Sequence, residues 1–222
     1  MQIMLFNNEI YGLTKGQYSP TSRLGTRSPS TPMGSVDNPL SAVNFALGAG
    51  ARFVARSIDT LPKHLPDMMT RAYHHKGASF LEIFQNCIVY NDNVFASFTE
   101  KAVAADNQIH LEHGKPMRFG KQGDRGLRLK PGKLELEAVT IGQDGVTEAD
   151  ILVHDETNLP MAGMLGLMKP PAMPIALGVL YCNPAPAYET KVVEQMEQAK
   201  SRAKTADLNA VLRGGYTWTV KG

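Results

Sequence analysis

The chain has 222 residues, 43% of them hydrophobic and 20% charged, and its 23 Lys and Arg against 21 Asp and Glu leave a formal net charge of +2. That size suits one compact domain, or one domain with an extension, and so mild a charge, with no basic tract interleaved with aromatics, leaves no electrostatic footprint for nucleic acid. No apolar run approaches a membrane span, the amino terminus lacks the order of a signal peptide, and two cysteines are too few for a disulfide framework, so a soluble cytoplasmic protein with no membrane partner is expected.

Taken in chain order, Ile3 to Phe6 reads as a short apolar strand, followed by a long loop rich in Ser, Thr, Pro and Gly. A long loop inside a compact domain is usually functional. Ser41 can cap a helix through Ala46 and Leu47 that stops at Gly48 and Gly50, after which Arg52 to Arg56 reads as a strand. Asp59 or Thr60 opens the next helix, with Pro62 and Pro66 tolerated early and Gly77 as its stop; Ser79 to Phe84 is a further strand. This alternation argues for an α/β fold, a mostly parallel sheet with helices on both faces.

Beyond Asp106 the periodicity fades, and Gly114 to Gly132 reads as irregular. Lys133 to Glu137 alternates, and Gln143-Asp144-Gly145 can turn it as a hairpin into Ile151-Leu152-Val153. Met164 to Met168 is apolar and is broken by Pro170, Pro171 and Pro174; its methionines read as packing. Val192, Met196, Ala199, Ala203 and Ala206 fall at helical steps, giving a helix with one apolar stripe that Gly214-Gly215 ends. Two parts follow: residues 1–106 as the α/β domain, and residues 107–222 as an irregular extension with a hairpin and an amphipathic helix suited to subunit contacts.

The chemistry is expected where the first strand ends, in Asn7-Asn8-Glu9-Ile10-Tyr11-Gly12-Leu13-Thr14-Lys15-Gly16-Gln17. Loops at the carboxyl ends of such strands bind ligands, amide oxygens are hard donors suited to magnesium, and Gly12 and Gly16 allow close approach of backbone to an anion. Other readings stand beside this one. Asn8 can be a turn residue bonded to its own backbone, Lys15 a solvated loop cation, Leu13 simple packing, and Cys87 a buried thiol acting as a small hydrophobe. Cys182 matches no ligand site. His74-His75 and His110-Leu111-Glu112-His113 lack the His-Glu-x-x-His spacing of a zinc-protease helix; all six histidines read as surface or structural.

The same segment resembles the second half of the thiamin diphosphate signature in beta subunits of 2-oxoacid:ferredoxin oxidoreductases, most of all the 2-oxoglutarate type. Similarity runs on through Tyr18-Ser19-Pro20-Thr21, Thr31-Pro32-Met33-Gly34-Ser35 and Phe84-Gln85-Asn86-Cys87-Ile88-Val89-Tyr90-Asn91-Asp92. The resemblance implies a partial thiamin diphosphate-binding fold. It makes Asn8 and the Ile10 carbonyl Mg²⁺ ligands, sets Tyr11, Gly12 and Thr14 against the cofactor, Leu13 against the substrate, and Lys15 against substrate or coenzyme A, and makes Cys87 one thiolate of a 4Fe-4S cluster. It further implies an alpha subunit and ferredoxin as partners, and oxidative decarboxylation of 2-oxoglutarate to succinyl-CoA. The family's Gly-Asp-Gly and its other cysteines have no counterpart in this chain, which reads as an amino-terminally truncated beta subunit. A pyruvate or broad 2-oxoacid enzyme, and a catalytically silent interaction module, remain alternatives.

Overall fold

In the computed structural model, which describes residues 1–202, 207–215 and 218–222, β1 (Gln2–Asn7) leads through the long loop to α1 (Ala42–Gly48) and then β2 (Phe53–Ile58). Next come α2 (His64–His74), β3 (Ser79–Phe84), the single turns α3 (Ala96–Thr99) and α4 (Ala104–Asn107), and β4 (Gln108–His110). β5 (Arg118–Phe119), β6 (Arg125–Leu129) and β7 (Leu136–Thr140) precede α5 (Leu159–Leu167) and β8 (Ile175–Cys182). The main sheet has the order β1-β3-β2-β8-β4, with β1, β3 and β2 mutually parallel, β8 antiparallel to β2, and β4 parallel to β8.

Helices cover both faces of this sheet, as buried parallel strands require. Val43 and Leu47 of α1 and Ala162 and Leu165 of α5 share a cluster with Val54 and Leu180. On the other face Met68 and Ala72 of α2 meet Phe53, Ala55, Leu81 and Ile83. Local chemistry sets the helix starts: the Ser41 side chain accepts from Asn44 N–H, and that of Asn158 from Met161 N–H.

Four expectations need correction. α2 starts at His64, not at Asp59 or Thr60, because Pro62 disfavours helical backbone in Leu61; Pro66 sits in the first turn, where its missing N–H costs nothing. The stretch 114–132 is not irregular, since β5, β6 and β7 form a three-stranded antiparallel sheet. Its hairpin is made by β6 and β7, which the Lys130 N–H to Glu135 carbonyl bond closes over Gly132 at φ +73°. The turn at Gln143–Gly145 leads instead to one 3₁₀ turn, Glu148–Asp150, and Val153 makes only an isolated bridge to Pro116. Finally, β4 and β8, both beyond residue 106, belong to the main sheet, so the compact unit spans Met1–Ala185.

The second unit, Pro186–Gly222, holds α6 (Tyr188–Arg202) and α7 (Leu208–Arg213). Val192, Met196 and Ala199 lie on α6; Ala203 and Ala206 of the expected stripe lie outside the described residues. Gly214 follows α7, a helix separate from α6. No helix among the described residues is long and apolar enough to cross a membrane.

Two glycines of α5 differ sharply in what surrounds them. A Cβ on Gly166 would fall 2.1 Å from Asn44 Oδ1 and 2.8 Å from Val43 Cγ1, whereas one on Gly163 meets nothing within 4 Å. Gly166→Ala is therefore expected to lower stability by about 1–3 kcal/mol through overpacking, and Gly163→Ala to raise it by about 0.5–1 kcal/mol, as read from urea midpoints. A second expectation concerns pH. Ser57 Oγ lies 2.8 Å from His64 Nδ1 and the His110 ring packs edge-on at 5.2 Å; burial, with the neighbouring His110, pushes His64 down to about 4. Because the fold disfavours the protonated ring, this contribution to stability is complete above about 6.5 and is lost as pH falls toward 4. His64→Gln should flatten the stability profile over that window.

Candidate functional site

The loop after β1 is anchored from beneath by buried charge. Asn7 Nδ2 donates to Glu82 Oε1 at 2.8 Å, and Arg56 Nε donates to Glu82 Oε2 at 2.7 Å. The Arg56 and Glu82 side chains are only 4% and 3% exposed. Asn7 Oδ1 accepts from Glu9 N–H and from Thr21 Oγ1 at 3.1 and 2.8 Å. Both ends of the Asn7 amide are thus committed to the fold. Asn8 is the amide left over: it is half-buried, its Oδ1 accepts from Ile10 N–H at 3.3 Å, and no donor bond of its Nδ2 is made among the described residues.

From Tyr11 the chain closes on itself. Tyr11 N–H donates to the Gln17 carbonyl at 2.8 Å, Gly16 N–H to Tyr11 at 2.9 Å and Lys15 N–H to Gly12 at 3.0 Å. Glu9 and Lys15 take left-handed backbone, φ 53° and 69°, a conformation costly for residues with a Cβ. The tip they shape presents Leu13, 98% exposed, with Thr14 and Lys15 also exposed. Leu13 therefore does not serve packing within this chain. Burial pushes the Glu9 carboxyl above its ordinary range, against the pull of Arg23, whose Nε bonds it at 2.9 Å, and of Lys169.

The segment after β3 packs on this loop. Asn91 Nδ2 donates to the Asn8 carbonyl at 2.9 Å, and a Cβ on Gly16, at φ +95°, would lie 2.9 Å from Tyr90 Cδ1. A Cβ on Gly12 would lie 4.0 Å from Cys87 Sγ, so the expected metal-binding loop and the expected cluster thiol are neighbours. Cys87 is half-buried in a small turn that Asn91 N–H closes onto its carbonyl. Cys182, at the end of β8, lies elsewhere, its thiol pushed up by burial and by Glu156. The Arg56–Glu82–Asn7 network is absent from the sequence reading.

The donors can be weighed against the expected groups. Asn8 Oδ1 and the Ile10 carbonyl are neutral hard oxygens, which suit Mg²⁺ when phosphate oxygens and water complete its octahedron. No group of three His, Cys, Asp or Glu that could hold a metal exists among the described residues. A 4Fe-4S cluster takes four thiolates, and the sequence contains two cysteines, so it does not fit this chain alone.

The two adjacent amides should differ in their tolerance of charge. Asn7→Asp sets a carboxylate against Glu82 and loses the donor, for an expected destabilisation of about 1–3 kcal/mol. Asn8→Asp keeps the acceptor for Ile10 and should leave stability within about 0.5 kcal/mol. Thermal melts of the two variants check both.

Comparison with known proteins follows the same line. Residues 1–83 match the family described as Thiamine pyrophosphate enzyme, C-terminal TPP binding domain. The chain is 38% identical to 2-oxoglutarate oxidoreductase subunit KorB of Mycobacterium tuberculosis over 223 residues, 98% of this chain and 58% of that protein. It is 32% identical over 124 residues to 2-oxoglutarate synthase subunit KorB of Methanocaldococcus jannaschii, covering 53% and 44%. It is 36% identical over 96 residues to 2-oxoacid:ferredoxin oxidoreductase 1, subunit beta, of Aeropyrum pernix, covering 43% and 30%. A solved 2-oxoglutarate:ferredoxin oxidoreductase from Magnetococcus marinus, with 2-oxoglutarate, coenzyme A and succinyl-CoA bound, shares the fold at a TM-score of 0.65 and 24% identity, over 97% of this chain and 58% of that one. The chain thus spans 58% of the length of its Mycobacterium relative. The Asn-Asn loop read from the sequence lies within a thiamin diphosphate-binding fold, and the chain resembles the beta subunits of 2-oxoacid:ferredoxin oxidoreductases, most like the 2-oxoglutarate type.

Proposed function

We propose that this chain acts in the beta subunit of a 2-oxoglutarate:ferredoxin oxidoreductase, with an alpha subunit completing the site and ferredoxin taking the electrons. The observation that carries this reading is the packing of the Cys87 turn on the Asn8 loop, which sets an expected cofactor grip beside an expected redox ligand. Likeness to KorB of Mycobacterium tuberculosis along 98% of the chain supports the same reading.

The roles follow from the residues. Asn8 Oδ1 and the Ile10 carbonyl would hold Mg²⁺ on the diphosphate, and Tyr11, Gly12 and Thr14 would flank the cofactor. Thiamin diphosphate, when bound, supplies a stabilised carbanion that attacks a keto carbon and accepts electrons as carbon dioxide leaves. Leu13, at the loop tip, gives the substrate an apolar wall. Lys15, exposed at the same tip, gives an ammonium to a substrate carboxylate or a coenzyme A phosphate. Cys87 would furnish one thiolate to a cluster whose other ligands lie outside this chain.

The test is anaerobic, coenzyme A-dependent reduction of a viologen dye by the complex isolated from its source with an antibody to this chain. Activity with 2-oxoglutarate and not with pyruvate is the expected result; equal rates would make it a broad 2-oxoacid enzyme, and none with either substrate would leave an interaction module. In the active complex, Lys15→Ala should raise the KM for 2-oxoglutarate or coenzyme A about tenfold while leaving the thermal midpoint unchanged, since the side chain is exposed.

A further inference from the structure

Between Asn8 and the Ile10 carbonyl lie the peptide units Asn8–Glu9 and Glu9–Ile10, and each is held at both ends. The first gives its N–H to Asn7 Oδ1 at 3.1 Å and accepts at its carbonyl from Asn91 Nδ2 at 2.9 Å. The second gives its N–H to Asn8 Oδ1 at 3.3 Å and accepts at its carbonyl from the Ser22 hydroxyl. The next unit is tied by Tyr11 N–H to the Gln17 carbonyl at 2.8 Å, and its own carbonyl, that of Ile10, accepts no hydrogen bond among the described residues.

Of these anchors one comes from outside the segment. Asn7, Asn8, Gln17 and Ser22 all lie within residues 7–22, whereas Asn91 belongs to the turn after β3, 83 positions from Asn8. That turn is closed by backbone, with Asn91 N–H donating to the Cys87 carbonyl at 2.9 Å, so a change of the Asn91 side chain leaves the closure in place. What the side chain fixes is the plane of the peptide entering Glu9. Glu9 stands at φ 53°, a conformation that a residue with a Cβ keeps only where its surroundings over-determine it.

We infer that Asn91 is a positioning residue for the metal grip: by holding the Asn8 carbonyl it sets the spacing of Asn8 Oδ1 and the Ile10 carbonyl, and with it the preference of the loop for Mg²⁺ over a larger cation. This role rests on the Mg²⁺ ligands assigned under the oxidoreductase function. Asn8 Oδ1 has two lone pairs, and the bond from Ile10 N–H uses one of them. Mg²⁺ demands a near-ideal octahedron at about 2.0–2.1 Å, whereas Ca²⁺ accepts irregular geometry at about 2.3–2.6 Å. A loop released from Asn91 therefore loses Mg²⁺ before it loses Ca²⁺. Groups that orient a metal ligand without touching the metal commonly change its affinity about 10- to 100-fold.

The test uses the whole complex, stripped of cofactor and metal, with thiamin diphosphate binding read by equilibrium dialysis in Mg²⁺ or in Ca²⁺. Asn91→Ala should raise the Kd for thiamin diphosphate about tenfold in Mg²⁺ and less than about twofold in Ca²⁺. Retained binding in Ca²⁺ reports that the site is still folded. Asn91→Leu, which returns bulk without a donor, should show the same split between the metals. Equal weakening in both metals would make Asn91 a fold contact and overturn the inference, as would an unchanged affinity in Mg²⁺. Absent or metal-independent binding by the unaltered complex would instead overturn the oxidoreductase function, and this role with it.

Discussion

Arg56 and Glu82 face each other at one rung of two adjacent parallel strands, sealed from water, and much of the molecule is organised around that pair. They are direct register partners, so the ion pair and the backbone ladder specify the same alignment. A slip of one residue would turn Glu82 to the opposite face and strand two buried charges, a loss on the order of 3–5 kcal/mol. Asn7 extends the constraint to β1 by donating to the second carboxylate oxygen. Three strands are thereby pinned at one level near their carboxyl ends.

That pinning places the site. With Asn7 committed, the chain leaves the sheet at Asn8, and the Gln85 N–H bond to the Asn7 carbonyl at 3.0 Å ties the start of the second loop to the end of the first. The Asn8 loop and the Cys87 turn are therefore carried by neighbouring strands in fixed register. Their contact at Asn91 and Tyr90 follows from sheet geometry more than from any strength of their own. The left-handed backbone at Glu9 and Lys15 is tolerated because the loop ends are fixed by this frame.

The first half of the chain was readable because its signals are local. An apolar run ending in Asn, a Ser that caps, a glycine that stops: each acts within a few residues. β8 carries a signal too, as Ile175 to Cys182 is a continuous apolar run flanked by Pro174 and Pro184, but the proline-rich stretch beside it masks the strand. β4 has three residues and β5 two, too short for any period to show. At the site, the motif carried Asn8, Lys15 and Cys87 to notice, yet left Arg56 and Glu82 unmarked. Their partnership spans 26 positions, and a strand arginine destined for burial looks the same in sequence as one facing water. The division of labour between Asn7 and Asn8 was hidden for the same reason, since it depends on which amide the sheet consumes.

β1 lies at the rim of the sheet, paired along one side with β3 among the described strands. Its sequence from Gln2 to Asn7 has no charged residue, and Ile3 and Phe6 are 43% and 53% exposed. Such a rim lacks the lysine, proline or bulge by which sheet edges usually discourage pairing. Any extended segment laid along it would complete the ladder and shield both side chains together. By mass action, the stability of β1, and of the Asn8 loop hanging from it, then rises with the concentration and affinity of whatever strand lies alongside. The order of the cofactor loop and the occupancy of that rim are linked quantities.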